Sequence, residues 1–245
     1  MKQLVLVTAW ILLCAQSAMA QTNLDSRGFV IVNGGYQLTA NDFTDGATRR
    51  ENAEDGRFDS TYGVKGGPSL DVAGGAVLWR RLGVGVGFSR FSVATPSTVT
   101  ASIPHPFFFN RARAVNGDAT DLKREEVAIH VQMRAVVPIG ARFQAMVFGG
   151  PSFFRVKQGM VTDVTYTDSY PYDVATFRGA TTTAGSASKM GFNGGGDLAF
   201  FFTRQIGLGT TVQFAGTTVE MPATGGPRDI KVGGVKAGGG LRLRF

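Results

Sequence analysis

His105 and His130 are the only histidines in this 245-residue chain, so acid–base chemistry near neutral pH would have to centre on one of them. Nucleophilic catalysis needs a hydroxyl within hydrogen-bond reach of a base that a third group orients. His130 has Glu126 four residues before it, and Ser69 or Ser89 could lie nearby. The alternation around His130 puts it on the polar face of a strand beside Glu126, which favours a hydrogen-bonded interior histidine over a hydrolase base. His105 sits in Pro104-His105-Pro106 with no companion ligand in its segment, so no metal is expected there. Gly194-Gly195-Gly196 and Gly238-Gly239-Gly240 lack the Gly-Lys-Ser/Thr ending and the following helix of a phosphate loop. The expectation is a protein with no catalytic set, no metal and no cofactor.

The elements that hold these residues begin after an export signal. Lys2, the apolar run Leu4–Ala15 and the small-x-small site Ala18-Met19-Ala20 read as a signal peptide over residues 1–20. The run is too short for a comfortable membrane helix. The single cysteine, Cys14, follows the bulky Leu13, which argues against a lipoprotein. Its removal leaves the mature chain without a disulfide or thiolate site. Residues 21–245 suit one all-β domain. The 34 glycines are about twice the ordinary usage of ~7%, and glycine is common where strands bend and pack in small barrels.

Strand one is expected at Gly28–Leu38, followed by a charged loop over Thr39–Ser60. Strand two (Val64–Trp79) and strand three (Leu82–Val93) are joined by Arg80-Arg81. A second long loop, Ala94–Leu122, leads to strand four (Lys123–Val137), and a tight turn at Pro138–Ala141 leads to strand five (Arg142–Lys157). A third long loop, Gln158–Ser188, precedes strand six (Lys189–Phe202) and strand seven (Ile206–Glu220). A shorter loop at Met221–Ile230 precedes strand eight (Lys231–Phe245). Eight antiparallel strands joined alternately by short turns and long loops predict an up-and-down transmembrane β-barrel with both mature termini on the periplasmic side.

The alternation assigns faces. Val127, Ile129, Val131, Met133, Ala135 and Val137 should face lipid while Glu126, His130, Gln132 and Arg134 face inward. Charges within the strands share the register of the glycines, the reverse of a soluble calyx. Small barrels are filled by side chains, and a buried charge requires a partner. A lumen network of Asp71, Glu126, His130, Arg134, Asp197, Lys236 and Arg242 is therefore expected. Tyr36, Trp79, Phe91, Phe143, Phe202 and Phe245 are expected in interfacial girdles. Strand one stays unassigned, because Phe29-Val30-Ile31-Val32 is apolar throughout.

In the second loop, Phe107-Phe108-Phe109 with Arg111 and Arg113 would make an interaction patch if exposed. The alternative is that the loop folds back and buries the rings. Tyr166, Tyr170 and Tyr172 offer a weaker case in the third loop. The net charge of +7 would raise nucleic acid as a partner, but the export signal points to lipopolysaccharide phosphates or acidic extracellular polymers instead.

The signal, the alternating strands, Gly34-Gly35-Tyr36 before a polar loop and the terminal Leu241-Arg242-Leu243-Arg244-Phe245 resemble the small bacterial outer-membrane β-barrel superfamily, the OmpA-type transmembrane domain and its relatives. The resemblance implies outer-membrane lipid and lipopolysaccharide as surroundings. It also implies that the barrel-assembly machinery reads Leu241, Leu243 and Phe245. The chain is expected to stop at the barrel, so the peptidoglycan-anchoring role is not carried over. Some barrels of this size act on lipids and are similar to lipid A deacylases or palmitoyltransferases. Their sites lie on lipid-facing or rim surfaces, whereas His130 is expected inside. The favoured function is structural or adhesive, through ligands held by the outer loops. A narrow porin-like pore for small solutes and a lipid-modifying enzyme are the alternatives.

Overall fold

The computed structural model describes residues 28–38, 42–139 and 141–245; the expected signal peptide and Cys14 lie outside them. Ten strands follow in chain order: β1 (Gly28–Gln37), β2 (Phe43–Glu51), β3 (Glu54–Tyr62), β4 (Gly67–Trp79), β5 (Leu82–Pro104), β6 (Ala112–Ile139), β7 (Phe143–Asp168), β8 (Ala175–Phe201), β9 (Ile206–Met221) and β10 (Arg228–Arg244). Eight of them form an antiparallel ring in the order β1-β4-β5-β6-β7-β8-β9-β10, closed by β10 pairing back to β1. The fold is an eight-stranded up-and-down β-barrel, as expected.

The ring closes at the chain's last residue. Phe245 and Gly28 exchange backbone hydrogen bonds of 2.7 and 3.0 Å. A Cβ on Gly28 would lie 2.5 Å from the Phe245 ring, so the absence of a side chain at Gly28 lets the terminal aromatic seat against the first strand.

Exposed apolar side chains form a belt around the short-turn half of the ring, among them Val86, Val131, Met133, Val147, Val212 and Phe214. Such a belt over a polar interior is the lipid-facing surface of a membrane barrel. Trp79, Phe143, Phe202 and Phe245 are exposed near its short-turn margin, and Tyr36 at the opposite end of β1. Phe91 departs from the girdle expectation. It is 1% exposed, because it shares the inward register of Gly87 and Ser89. Strand one now resolves: Ile31, Asn33 and Gln37 are buried while Val32 and Tyr36 are exposed.

Three of the expected long loops are largely strand. β5 to β8 run well past the belt, leaving residues 105–111 and 169–174 as hairpin tips. The expected loop at Thr39–Ser60 holds the β2–β3 hairpin, and β3 pairs with the outer half of β5 from Arg57↔Ser102 to Tyr62↔Ser97. Beyond the belt the chemistry reverses. Val99, Ala101, Ile103, Val115 and Leu122 pack inward with Phe58, Tyr62, Val161 and Val164, while Thr98, Thr100, Asn116 and Asp118 face out. A second apolar cluster (Ala128, Phe154, Val156, Met160, Val219, Met221, Ile230 and others) lies nearer the belt.

Candidate functional site

Two places gather functional side chains: the lumen within the belt and the tips of the outer hairpins. The lumen charges do not form the single network expected from sequence. They separate into local groups, all but one of them pairing a cation with a carboxylate. Arg242 and Asp197 form an ion pair through the guanidinium Nη2 and carboxylate Oδ2, with Nε also donating to Oδ2 at 3.0 Å. Arg242 Nη1 donates to Asn33 Oδ1 at 2.6 Å, and Thr211 donates to Asp197 at 2.6 Å. Lys236 pairs with Asp71 at 3.6 Å.

Glu126 is held by Arg124 at 2.7 Å and by the Gly233 N–H at 2.9 Å. Gln37 donates to Glu126 at 3.4 Å and to the Gly233 carbonyl at 3.1 Å. Gly233 has φ +87°, a left-handed backbone that favours glycine. Arg124, fully buried, was missed in the sequence although it lies two residues before Glu126 on the same face; the alternation could have found it. Asn33 and Gln37 could not be found that way, because strand one offered no readable alternation.

Arg134 is the departure. Among the described residues it has no carboxylate hydrogen-bond partner. Its guanidinium donates to Gln132 Oε1 at 2.5 Å and lies 4.6 Å and 5.2 Å from the ring centroids of Phe29 and Phe148. Ring quadrupoles and an amide take the place of the expected acid.

His130 is buried with Ser89 Oγ 3.0 Å from Nε2 and Ser152 Oγ 2.7 Å from Nδ1. Ser152 accepts from Asn193 Nδ2 at 2.9 Å, and Asn193 Oδ1 accepts from Gln132 at 2.7 Å. A Ser–His contact therefore exists, as the sequence allowed. The group that orients the imidazole is a second serine, not Glu126, which belongs to the Arg124 group. A serine hydroxyl does not supply the fixed negative charge that stabilises an imidazolium in a triad.

The outer tips are built differently. Phe107, Phe108 and Phe109 stand at the β5–β6 tip and are exposed, Phe109 to 75%. His105, buried beneath them, accepts hydrogen bonds at Nδ1 from the Phe107 and Phe108 amides at 3.1 and 3.2 Å. It shapes the tip. Phe107 meets Tyr172 of the β7–β8 tip edge to face at 5.3 Å, and Tyr170 packs on Tyr172 at 6.2 Å. Arg111 bonds Asp173 at 3.1 Å and lies over Phe108 at 5.5 Å.

Arg113, expected beside Arg111 in the patch, is only 5% exposed. It pairs with Asp168 at 2.9 Å and donates to the carbonyls of Tyr172 and Pro104. One residue, Ala112, separates a surface arginine from a buried clamp, because Arg113 shares the inward register of Val115. Lower on β7, Tyr166 bonds Glu51 of the β2–β3 hairpin, and burial together with that carboxylate raises its hydroxyl to about 12.

No family model matches the sequence, and no curated protein matches it. Among solved structures, the outer membrane protein OprG from Pseudomonas aeruginosa aligns at 10% identity over 90% of this chain and 97% of its own, with a TM-score of 0.49. The Neisserial surface protein A aligns at 10% identity over 89% and 97%, with a TM-score of 0.42. The outer membrane protease OmpT from Escherichia coli aligns at 6% identity over 92% and 99%, with a TM-score of 0.48.

Proposed function

We propose that this chain, whose fold is that of a small outer-membrane β-barrel, has a structural and adhesive role. It sits with its long hairpins outward and both mature termini in the periplasm. Lipid and lipopolysaccharide surround the belt, and the assembly machinery reads Leu241, Leu243 and Phe245. The lumen stays closed, and a surface ligand is held by the crown of Phe107, Phe108, Phe109 and Tyr170.

The observation that carries this reading is the exposed aromatic cluster on a rigid mount. Four large rings face solvent at the hairpin tips, while Arg113 ties the two tips together beneath them through Asp168 and the Tyr172 carbonyl, and the His105 hydrogen bonds shape the phenylalanine tip. Exposed apolar patches on a water-facing tip mark interaction sites, and aromatics supply contact area at low entropic cost. A non-enzymatic role is supported by His130, whose ring is oriented by serine and enclosed in the lumen.

The test is adhesion of cells displaying the wild-type protein or the Phe107→Ala/Phe108→Ala/Phe109→Ala variant to epithelial monolayers at matched surface expression. A several-fold drop for the variant is expected; equal adhesion would overturn the reading. Planar-bilayer recording addresses the lumen, where a stable conductance would favour the pore alternative.

A further inference from the structure

The ring encloses a second space at the short-turn end, a cup of about 900 Å³. That volume is in the range of small-molecule sites. Its roof is Arg242, fixed to Asp197 and Asn33. Beyond the roof lies a pocket of about 30 Å³, room for about one water, and then the apolar clusters of the outer half. The cup is blind, so whatever enters leaves by the same mouth. This is the geometry of a binding site, not a passage.

Phe29, Ile31, Met146 and Phe201 give the walls apolar faces, while Arg80, Arg81, Arg204 and Arg244 line the mouth. Among the described residues the one acid in the lining, Asp197, is already held by Arg242. Arg244 is mounted in place. Its guanidinium lies 4.0 Å from the Phe201 ring centroid, Nε donates to the Arg204 carbonyl and Nη1 to Gln144 at 3.4 Å. Among the described residues none of these contacts uses Nη2. Cations around a low-dielectric cleft focus the field and concentrate anions.

We propose that this cup binds a small organic anion, a carboxylate with a compact apolar or aromatic body. The carboxylate sits among the mouth arginines, whose forked donors match its geometry, and the body lies against Phe29 and Phe201. A fully hydrated inorganic anion would leave those walls unused. The assignment holds whichever way the barrel faces and does not depend on the aromatic crown.

The test is equilibrium dialysis of the protein in zwitterionic nanodiscs against radiolabelled benzoate, its neutral isostere benzamide, and inorganic phosphate. Saturable benzoate binding is expected, roughly tenfold tighter than either comparison ligand and weakened by added salt. Arg244→Gln should weaken benzoate by about fivefold or more. Arg80→Gln/Arg81→Gln, in an exposed turn, repeats the test should Arg244→Gln fail to fold. Arg50→Gln, on the far hairpin, should change nothing. Benzamide or phosphate binding as tightly as benzoate, no saturable binding, or indifference to the mouth substitutions would each overturn the proposal.

Discussion

Within the belt, the barrel carries Asp197, Arg242, Glu126 and Arg124 inside and Val131, Met133 and Phe214 outside; past it, Val99, Ala101 and Val115 are inside and Thr98, Thr100 and Asp118 are outside. Continuous strands such as β5 run through both regions, so the wall is shared and only its side-chain chemistry inverts. The inversion follows the surrounding medium. In lipid an apolar outer face costs nothing, and no hydrophobic force drives side chains inward; cohesion rests on backbone hydrogen bonds and paired lumen groups. In water, burial of apolar area supplies the cohesion. The two halves should therefore fail by different mechanisms.

The largest effect is expected in the lumen. Asp197→Ala leaves Arg242 buried without its anion, at a cost of about 3–5 kcal/mol. The measurement is the urea unfolding midpoint in lipid vesicles. Replacing both partners, Asp197→Leu with Arg242→Met, should recover most of the loss, because the ion pair is no better than apolar packing once both charges are gone. If the single substitution leaves the midpoint unmoved, lumen pairing is not what holds this half together.

A step smaller is Leu122→Ala in the outer core, where the side chain is buried. Truncation there should cost about 2–4 kcal/mol and loosen the outer hairpins alone. Limited proteolysis would then cut among residues 94–122 while the belt keeps its strand circular dichroism. Val86→Ala on the lipid face should cost no more than about 1 kcal/mol. Equal sensitivity at the two sites would erase the distinction between the halves.

The inversion also explains what could be read from the sequence. The run from Glu126 to Arg134 alternates without interruption, and its faces are as the period of two dictates. Past it the alternation changes phase. Thr95↔Leu122 is followed by Ser97↔Ala119, so β6 carries one extra residue there, with Asp121 at φ +61°. That inserted residue swaps the following side chains of β6 to the other face, whereas β5 keeps its odd-numbered residues inward to Ile103 while their chemistry changes from glycine and serine to Val99, Ala101 and Ile103; no single alternation therefore reads across Ala94–Leu122. The β2–β3 hairpin was hidden differently. Its outward face bears Thr48, Arg50, Asp55 and Arg57, and its inward face mixes Ala47, Phe58 and Tyr62 with Asp45, Arg49, Gly56 and Ser60. The phenylalanine crown was legible as an oddity, but its exposure depended on the clamp at Arg113 and Asp168, residues 55 positions apart that only the folded hairpins bring together.

The smallest expected effect sharpens the outer half's own electrostatics. Tyr166 is held protonated to about pH 12 by burial and by its hydrogen bond to Glu51, against an ordinary value near 10. Between these two values the folded hairpins bind a proton that the unfolded chain has released. Stability of the outer half therefore falls as pH rises through this window, and is unaffected by this group below it. Tyr166→Phe removes the titration, so its protease resistance should decline less between pH 10 and 12 than that of the wild type. Absorbance at the tyrosinate band gives the direct check, as the wild type minus the variant should show a component titrating near 12. If that component appears near 10 instead, Glu51 and Tyr166 are not in contact, and the β2–β3 hairpin is not docked against β7.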